Sequence, residues 1–427
     1  MRRRVVWSST IGNALEWFDF AIFGSFAAII GQQFFPKTSP AASLMAVYGL
    51  FAIAYVARPL GGIVFGVWAD RIGRKKALIT IVLTMAMATA VIGLLPTYAQ
   101  IGIAAPLLLL AARLVQGFSA GGEFGTSTAM LVEFAPPGRR GFFASFQFVA
   151  QAVAFGSAAA FAYALNALLS PEALQSWGWR IPFLLGIIIG PVGFYLRRAV
   201  DETPEFKAYA AKHAGTENTP LQDVLRHHSR ALFSLLFIIA GLTATTYYAT
   251  VFAPNFAAAE LGLKMADAQL GLFVANIAAA IALPFAAALS DRVGRRIVMA
   301  PAIIIYLVLI HILQRHLLAA PSVLAMWSTQ ALVLISIFIS GPACAIALEA
   351  FPVGVRSTGA SIVYNFAVAI FGGLAPLISG WLIEATADKM APIYYLTACL
   401  LLTLIGLMIL PQPAKSEIPD NAALARA

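Results

Sequence analysis

Residues Gly66-Val-Trp-Ala-Asp70-Arg71-Ile-Gly73-Arg74-Lys75-Lys76 recur, in altered form, as Ala287-Ala-Leu-Ser-Asp291-Arg292-Val-Gly294-Arg295-Arg296. The two copies lie 221 residues apart. A second landmark repeats nearly in step. Glu133-Phe-Ala-Pro136 with Arg140, Ala144 and Ser145 is mirrored 216 residues later by Glu349-Ala-Phe-Pro352 with Arg356, Ala360 and Ser361. One such loop alone is a cluster of charge. Two pairs at similar offsets divide the chain into two halves in parallel orientation, an arrangement in which a ligand site lies between the halves.

Outward from these loops the chain is apolar. Of its 427 residues, 60% are hydrophobic and 11% charged, and its mean hydropathy is +0.84. A soluble domain is nearer half apolar and a quarter charged, so the surplus needs lipid. A bilayer-spanning helix takes roughly 20 mostly apolar residues. Twelve stretches qualify: 9–35, 43–68, 77–96, 103–133, 142–169, 180–199, 230–258, 267–290, 297–317, 321–349, 357–385 and 391–411. The expected fold is an all-α membrane protein of twelve transmembrane helices in two six-helix bundles. The expected parts are a bundle over 1–199, a polar cytoplasmic linker over 200–229, a bundle over 230–411 and a cytoplasmic tail over 412–427.

The net charge of +9 could serve nucleic acid, but its placement argues for topology instead. With the N-terminus inside, 21 of the 28 Lys and Arg fall in cytoplasmic segments and Lys37, Lys264, Arg315 and Lys389 in outer loops. That bias sets both termini on the cytoplasmic side. Arg2, Arg3 and Arg4 before an apolar stretch imitate a signal peptide. Glu16 and Asp19 interrupt its would-be core, so a retained first helix is expected. Cys344 and Cys399 sit inside apolar runs and read as small core residues. The five histidines have no metal spacing with Cys or carboxylates, and no phosphate-binding loop is present. The sequence therefore implies no cofactor and no enzyme. A membrane sensor with a transporter-like body would need a soluble signalling domain, and no stretch is long enough.

The repeated loop has a mechanical rationale. Asp70 can accept charge-assisted hydrogen bonds from a neighbouring helix end, while Gly66 and Gly73 permit close approach and a tight turn. Gly66, Asp70, Arg71, Gly73 and Arg74, with Asp291, Arg292 and Arg295, form a candidate conformational latch; the plainer reading is a basic loop with no moving part. Ala287 replaces the first glycine in the second copy, which predicts a weaker latch there. The pattern resembles the major facilitator superfamily. Gly12-Asn13-Ala14-Leu15-Glu16-Trp17-Phe18-Asp19-Phe20, Arg113-Leu-Val-Gln116-Gly117-Phe-Ser-Ala-Gly121-Gly122-Glu123, Trp177-Gly178-Trp179-Arg180-Ile-Pro182-Phe183 and Asp201-Glu202-Thr203-Pro204-Glu205-Phe206 are similar to the metabolite:proton symporters of that superfamily. Two stretches are most similar to citrate–proton symporters, Gly141-Phe-Phe-Ala-Ser145-Phe-Gln147 with Gln151, and Thr243-Ala-Thr245-Thr246-Tyr247-Tyr248 followed by Thr250 and Val251; the run Ala369-Ile-Phe-Gly372-Gly373-Leu-Ala-Pro376 is also similar. Carriers of 2-oxoglutarate resemble the chain nearly as well around Gln147. Proline and betaine carriers share the segment from Glu16 to Asp19. The resemblance implies proton coupling and a small polar metabolite.

Charges inside a membrane are costly and mark pathways. Glu16 and Asp19 share a helix face, and Asp19 lies roughly 16 Å into its span at 1.5 Å per residue. Arg58 lies roughly 18 Å before Asp70, and Arg113 about 15 Å into its span. Arg113 and Gln116 share a face at i,i+3, as Gln116 and Glu123 do at i,i+7. These residues predict a cationic cavity in which Arg113 and Arg58 meet an anion and Asp19, Glu123 or Glu16 carries protons. The alternative is a set of buried ion pairs that fix packing, with Arg113 held by Asp19 or Glu123. Arg180 is either part of the site or an anchor at its helix end. The second half offers polar groups in place of charges: Tyr247, Thr246, Asn276 and Asn365, which with Gln147 and Gln151 would suit a polyoxygenated ligand. Each could equally be an ordinary interhelical hydrogen bond. The leading expectation is proton symport of citrate or a related di- or tricarboxylate by a monomer in the cell inner membrane. 2-Oxoglutarate, shikimate or a zwitterion such as proline or betaine stands as the alternative.

Overall fold

A computed structural model describes residues 2–36, 40–72, 74–124, 127–128, 131, 135–136, 138–187, 190–191, 195, 220–351 and 356–411. Each of the twelve apolar stretches contains helix. α1 is Arg2–Ser25 continued by Ala27–Phe34, α2 is Pro40–Ile72, α3 is Arg74–Leu94 and α4 is Ala104–Ala120. α5 comprises Arg140–Ala144 and Phe146–Leu168, and α6 opens with Ile181–Leu184. α7 runs as Ser229–Tyr247, a π-helical turn at Tyr248–Phe252, and Ala253–Leu261. α8 is Met265–Val293, α9 is Arg295–Ala319, and α10 comprises Val323–Gln330 and Val333–Glu349. α11 runs as Arg356–Ala367, a second π-helical turn at Val368–Gly373, and Ala375–Thr386. α12 is Ala391–Ile409.

Among the described residues, eight helices are long and apolar enough to cross a bilayer, and Ile79–Leu94 and Ala104–Ala120 are shorter apolar helices. α1 carries Glu16 and Asp19, which lowers its hydropathy. The linker expected over 200–229 holds a short helix, Pro220–His227, directly before α7. Residues 200–219 and the tail 412–427 lie outside the described residues. The tight turn expected in the repeated loop is present between α8 and α9, where Gly294 adopts φ +105°; a side chain there would be strained.

Packing follows the internal repeat. α1 lies on α5 and α2 on α4, as α7 lies on α11 and α8 on α10. Across the halves α5 packs along α8, and α11 along α2. The halves touch at both ends. At the end carrying the repeated loops, Asp291 reaches the start of α5. At the other, Asn255 Nδ2 donates to the Gly24 carbonyl at 3.2 Å. Leu60, Leu107, Phe285, Ile304, Leu324 and Met408 are exposed. Such an apolar exterior belongs in lipid, and the polar side chains are drawn inward to the seam.

Candidate functional site

Two helices bring the deepest cations together because small residues let their backbones touch. A methyl added at Gly61 would overlap the Phe118 carbonyl, one at Gly117 the Ala54 carbonyl, and one at Gly121 the Arg58 carbonyl. Glycine at these points lets α2 and α4 approach to backbone contact. Arg58 of α2 and Arg113 of α4 are both buried beside α1. Phe20 of α1 lies between them, with its ring centroid 5.5 Å from Cζ of Arg58 and 5.1 Å from Cζ of Arg113.

Arg58 is engaged through Nε and Nη2, while its Nη1 makes no hydrogen bond. Its Nη2 pairs with Glu16 Oε1 at 3.4 Å and donates to the Ala120 carbonyl at 3.3 Å. Nε donates to Asn365 Oδ1 of α11 at 3.2 Å, and Asn365 Nδ2 donates to the Gly121 carbonyl at 2.9 Å. One buried cation thus joins α1, α2, α4 and α11 across both halves. Glu16, a candidate proton carrier in the sequence, serves here as the counter-ion of Arg58.

Arg113 differs. The sequence predicts an acidic partner for it, Asp19 or Glu123, yet its hydrogen bond goes to Gln116 Oε1 at 2.8 Å. Its Nε and Nη2 make no hydrogen bond. Aromatic faces stand around it instead: Phe23 at 4.0 Å and Phe51 at 5.7 Å from Cζ, besides Phe20. Cation–π contacts are worth about 2 kcal/mol when desolvated, which offsets the lack of a direct ion pair. Asp19 is reached only through a relay. Gln116 Nε2 donates to Thr89 Oγ1 at 2.6 Å, and Thr89 Oγ1 lies 2.6 Å from Asp19 Oδ2. Asp19 Oδ1 makes no hydrogen bond. Thr89 escaped the sequence reading because α3 carries three threonines, Thr80, Thr84 and Thr89, in one apolar run.

The remaining candidates divide. Tyr247 joins the arginine cluster, crossing Tyr55 at 5.1 Å between centroids. Glu123 is buried seven residues beyond Gln116. Gln151, Thr246 and Asn276 line a separate cavity of about 50 Å³, with Thr250 and Ser340. Gln151 Nε2 also donates to Tyr364 Oη at 2.8 Å, and that ring stacks on Phe124 at 3.5 Å. Gln147 is occupied elsewhere: Nε2 donates to Asn13 Oδ1 at 3.1 Å, and Oε1 accepts from Ser127 Oγ at 3.3 Å. It holds α5 to α1. Arg180 Nη1 donates to the Gly93 and Leu95 carbonyls at 2.8 and 2.7 Å, which makes it an anchor at the end of α3.

The second copy of the repeated loop is docked. Asp291 Oδ1 and Oδ2 accept from the backbone N–H groups of Gly141 and Phe142, each at 3.0 Å. A carboxylate at a helix start is favoured by the free N–H groups and the helix dipole. Arg295 Nη2 lies 2.7 Å from Asp291 Oδ1 and 2.9 Å from Glu349 Oε1. Arg292, named with them from the sequence, is exposed and makes no ion pair among the described residues. Ala287 packs against α10 at Gly341, where an added methyl would meet the Ala287 side chain and backbone closely. In the first copy Gly73 lies outside the described residues, and only the helical backbone of Gly66, Asp70, Arg71 and Arg74 is described. If the docking is a latch, Asp291→Asn should cost about 2 kcal/mol of one conformer, a shift of roughly thirtyfold. Turnover should fall while substrate affinity changes less than about threefold. Gly141→Ala, whose methyl would collide with Arg295 and Asp291, should act in the same direction. Lost binding at normal turnover would remove the latch.

Comparison with known proteins agrees with this architecture. The profile described as "Sugar (and other) transporter" matches residues 5–230, and that of the "Major Facilitator Superfamily" matches 235–425. The chain is 42% identical over 402 residues to the citrate-proton symporter of Klebsiella pneumoniae, covering 91% of this chain and 87% of the relative. It is 31% identical over 417 residues to the proline/betaine transporter of Salmonella typhimurium, covering 95% and 82%. In fold it matches the D-xylose-proton symporter at TM-score 0.76 with 18% identity, over 96% of this chain and 98% of that one. Two similar helical halves among the described residues, a buried polar seam between them and these matches together show that the chain belongs to the major facilitator superfamily of membrane transporters.

Proposed function

We propose that the protein is a proton-coupled symporter of a small organic anion, with citrate or a related di- or tricarboxylate as its leading substrate. The observation that carries this reading is the chain from Arg113 through Gln116 and Thr89 to Asp19. It sets a cation with two unused donors and a carboxyl with an unused oxygen in one buried cluster. Carboxylates are bound best by the planar fork of a guanidinium. Citrate-proton symporters at 42% and 38% identity support the substrate class. The proline/betaine transporter at 31% identity supports a second reading, for which the aromatic rings around the cluster would suit a quaternary ammonium. Protons, the anion and the bilayer are then its partners. The excess of Lys and Arg in alternate loops supports cytoplasmic termini in the cell inner membrane.

The cycle follows from the geometry. An anion reaching the seam takes the free Nε and Nη2 of Arg113, and a proton on Asp19 cancels the charge left beside it. Asn365 of α11 on Arg58 of α2 gives the second half a grip on the charged wall, so binding can be felt by both bundles. Uptake of labelled citrate, 2-oxoglutarate, shikimate and proline into proteoliposomes under an inward proton gradient tests the reading. Citrate or another carboxylate should accumulate, and a protonophore should abolish that accumulation. Accumulation of proline alone would establish the zwitterion reading, and indifference to the protonophore would end the proton reading.

A further inference from the structure

The geometry points to Thr89 as the positioning residue through which a proton on Asp19 strengthens the hold of Arg113 on a carboxylate; the inference rests on the proton-symport reading above. Thr89 Oγ1 has three polar neighbours. Asp19 Oδ2 lies at 2.6 Å, the Met85 carbonyl at 3.0 Å and Gln116 Nε2 at 2.6 Å. A hydroxyl has one hydrogen and two acceptor sites. Gln116 has only one possible orientation, since Arg113 can only donate. Its Oε1 must face the guanidinium and its NH₂ must face Thr89. The hydroxyl therefore accepts from Gln116 throughout, and its single hydrogen goes either to Asp19 or to Met85.

Two arrangements follow. With Asp19 ionised, Thr89 donates to Oδ2. The bonds from Arg113 to Gln116, Gln116 to Thr89 and Thr89 to Asp19 then all run one way, from cation to anion. Each polarises the next, and the chain strengthens as a whole. Gln116 is held taut on Arg113. When Oδ2 takes a proton from solvent, the new O–H donates to Thr89, which turns its hydrogen to the Met85 carbonyl. The last link reverses, the anion that polarised the chain is gone, and Gln116 holds Arg113 less firmly. The guanidinium then gives less of its charge to the chain, and its unbonded Nε and Nη2 hold a substrate carboxylate more tightly. Valine could make neither arrangement, and serine could make both.

Few other charges bear on Asp19. Arg113 is the charged group that acts on it from α4. Among the described residues packed against α1, α3 brings no charged side chain over Ile79–Leu94, α5 none over Phe146–Leu168 and α6 none over Ile181–Leu184. The π-helical turn of α7 brings Tyr248. Arg58 and Glu16 are paired with each other.

The test is equilibrium binding of labelled citrate at pH 6 and pH 8 to the purified full chain. Asp19→Asn reports the pH dependence that belongs to citrate itself. Wild type should gain about tenfold more affinity than Asp19→Asn between pH 8 and pH 6. Thr89→Val should fall to the Asp19→Asn slope, and Thr89→Ser should keep that of wild type. If Thr89→Val does not fold, Gln116→Met breaks the same chain and must show the same collapse. A wild-type slope in Thr89→Val, or a collapsed one in Thr89→Ser, overturns the relay. No citrate binding by wild type, or a wild-type slope equal to that of Asp19→Asn, would instead defeat the symport reading on which the relay depends.

Discussion

Arg113→Lys should weaken carboxylate binding by about 2–3 kcal/mol, roughly 30- to 150-fold, although the net charge is unchanged. The reason is geometric. The guanidinium spends Nη1 on Gln116 and keeps Nε and Nη2 free. Those two nitrogens lie on one edge of the plane and match the two oxygens of a carboxylate. An ammonium is a point charge with three rotatable donors and cannot hold Gln116 and both oxygens in one plane. It is also more strongly hydrated, so burial against Phe20, Phe23 and Phe51 costs it more. Binding isotherms of wild type and Arg113→Lys decide the matter. Equal affinities would make Arg113 a packing ion and shift the anion to Arg58, which already has Glu16 and Asn365.

Asp19→Asn should abolish proton-driven accumulation and leave exchange. One unit of imposed pH gradient is worth about 1.4 kcal/mol per coupled proton, roughly tenfold accumulation. Asparagine keeps the shape, and its Oδ1 can still accept from Thr89, but it cannot gain or lose a proton. The inside-to-outside ratio should therefore fall from roughly tenfold per proton to unity. Counterflow, which needs only binding and reorientation, should persist. Measuring both in the same proteoliposomes separates a lost carrier from a lost site. Accumulation that survives in Asp19→Asn moves the proton to Glu123.

Much of this could be read from the chain. A bilayer demands about 20 apolar residues per helix, and that demand wrote twelve runs between short basic loops. The same demand made Asp19, Arg58 and Arg113 conspicuous, because charge at depth is costly. The i,i+3 spacing of Arg113 and Gln116 predicted a shared face, and the 2.8 Å bond realises it. What stayed hidden depended on partners from distant helices. Glu16 lies 42 residues from Arg58, and nothing local pairs them. Gln147 and Gln151 look alike in sequence, yet one binds α1 and the other α11. Thr89 resembles its neighbours until the fold sets it between Gln116 and Asp19. Arg292 and Arg295 are both basic, but only the second stands one turn beyond Asp291, on the same face.

The contact of α2 with α4 has a consequence for selectivity. At Gly61, Gly117 and Gly121 the two backbones meet with no side chain between them to compress or slide. A carrier changes shape by moving bundles past each other, yet this pair belongs to one bundle. Arg58 and Arg113 therefore travel as a fixed gauge. An anion long enough to reach from Arg113 to the unbonded Nη1 of Arg58 would be graded against a span that does not adjust, before any helix of the other half has moved.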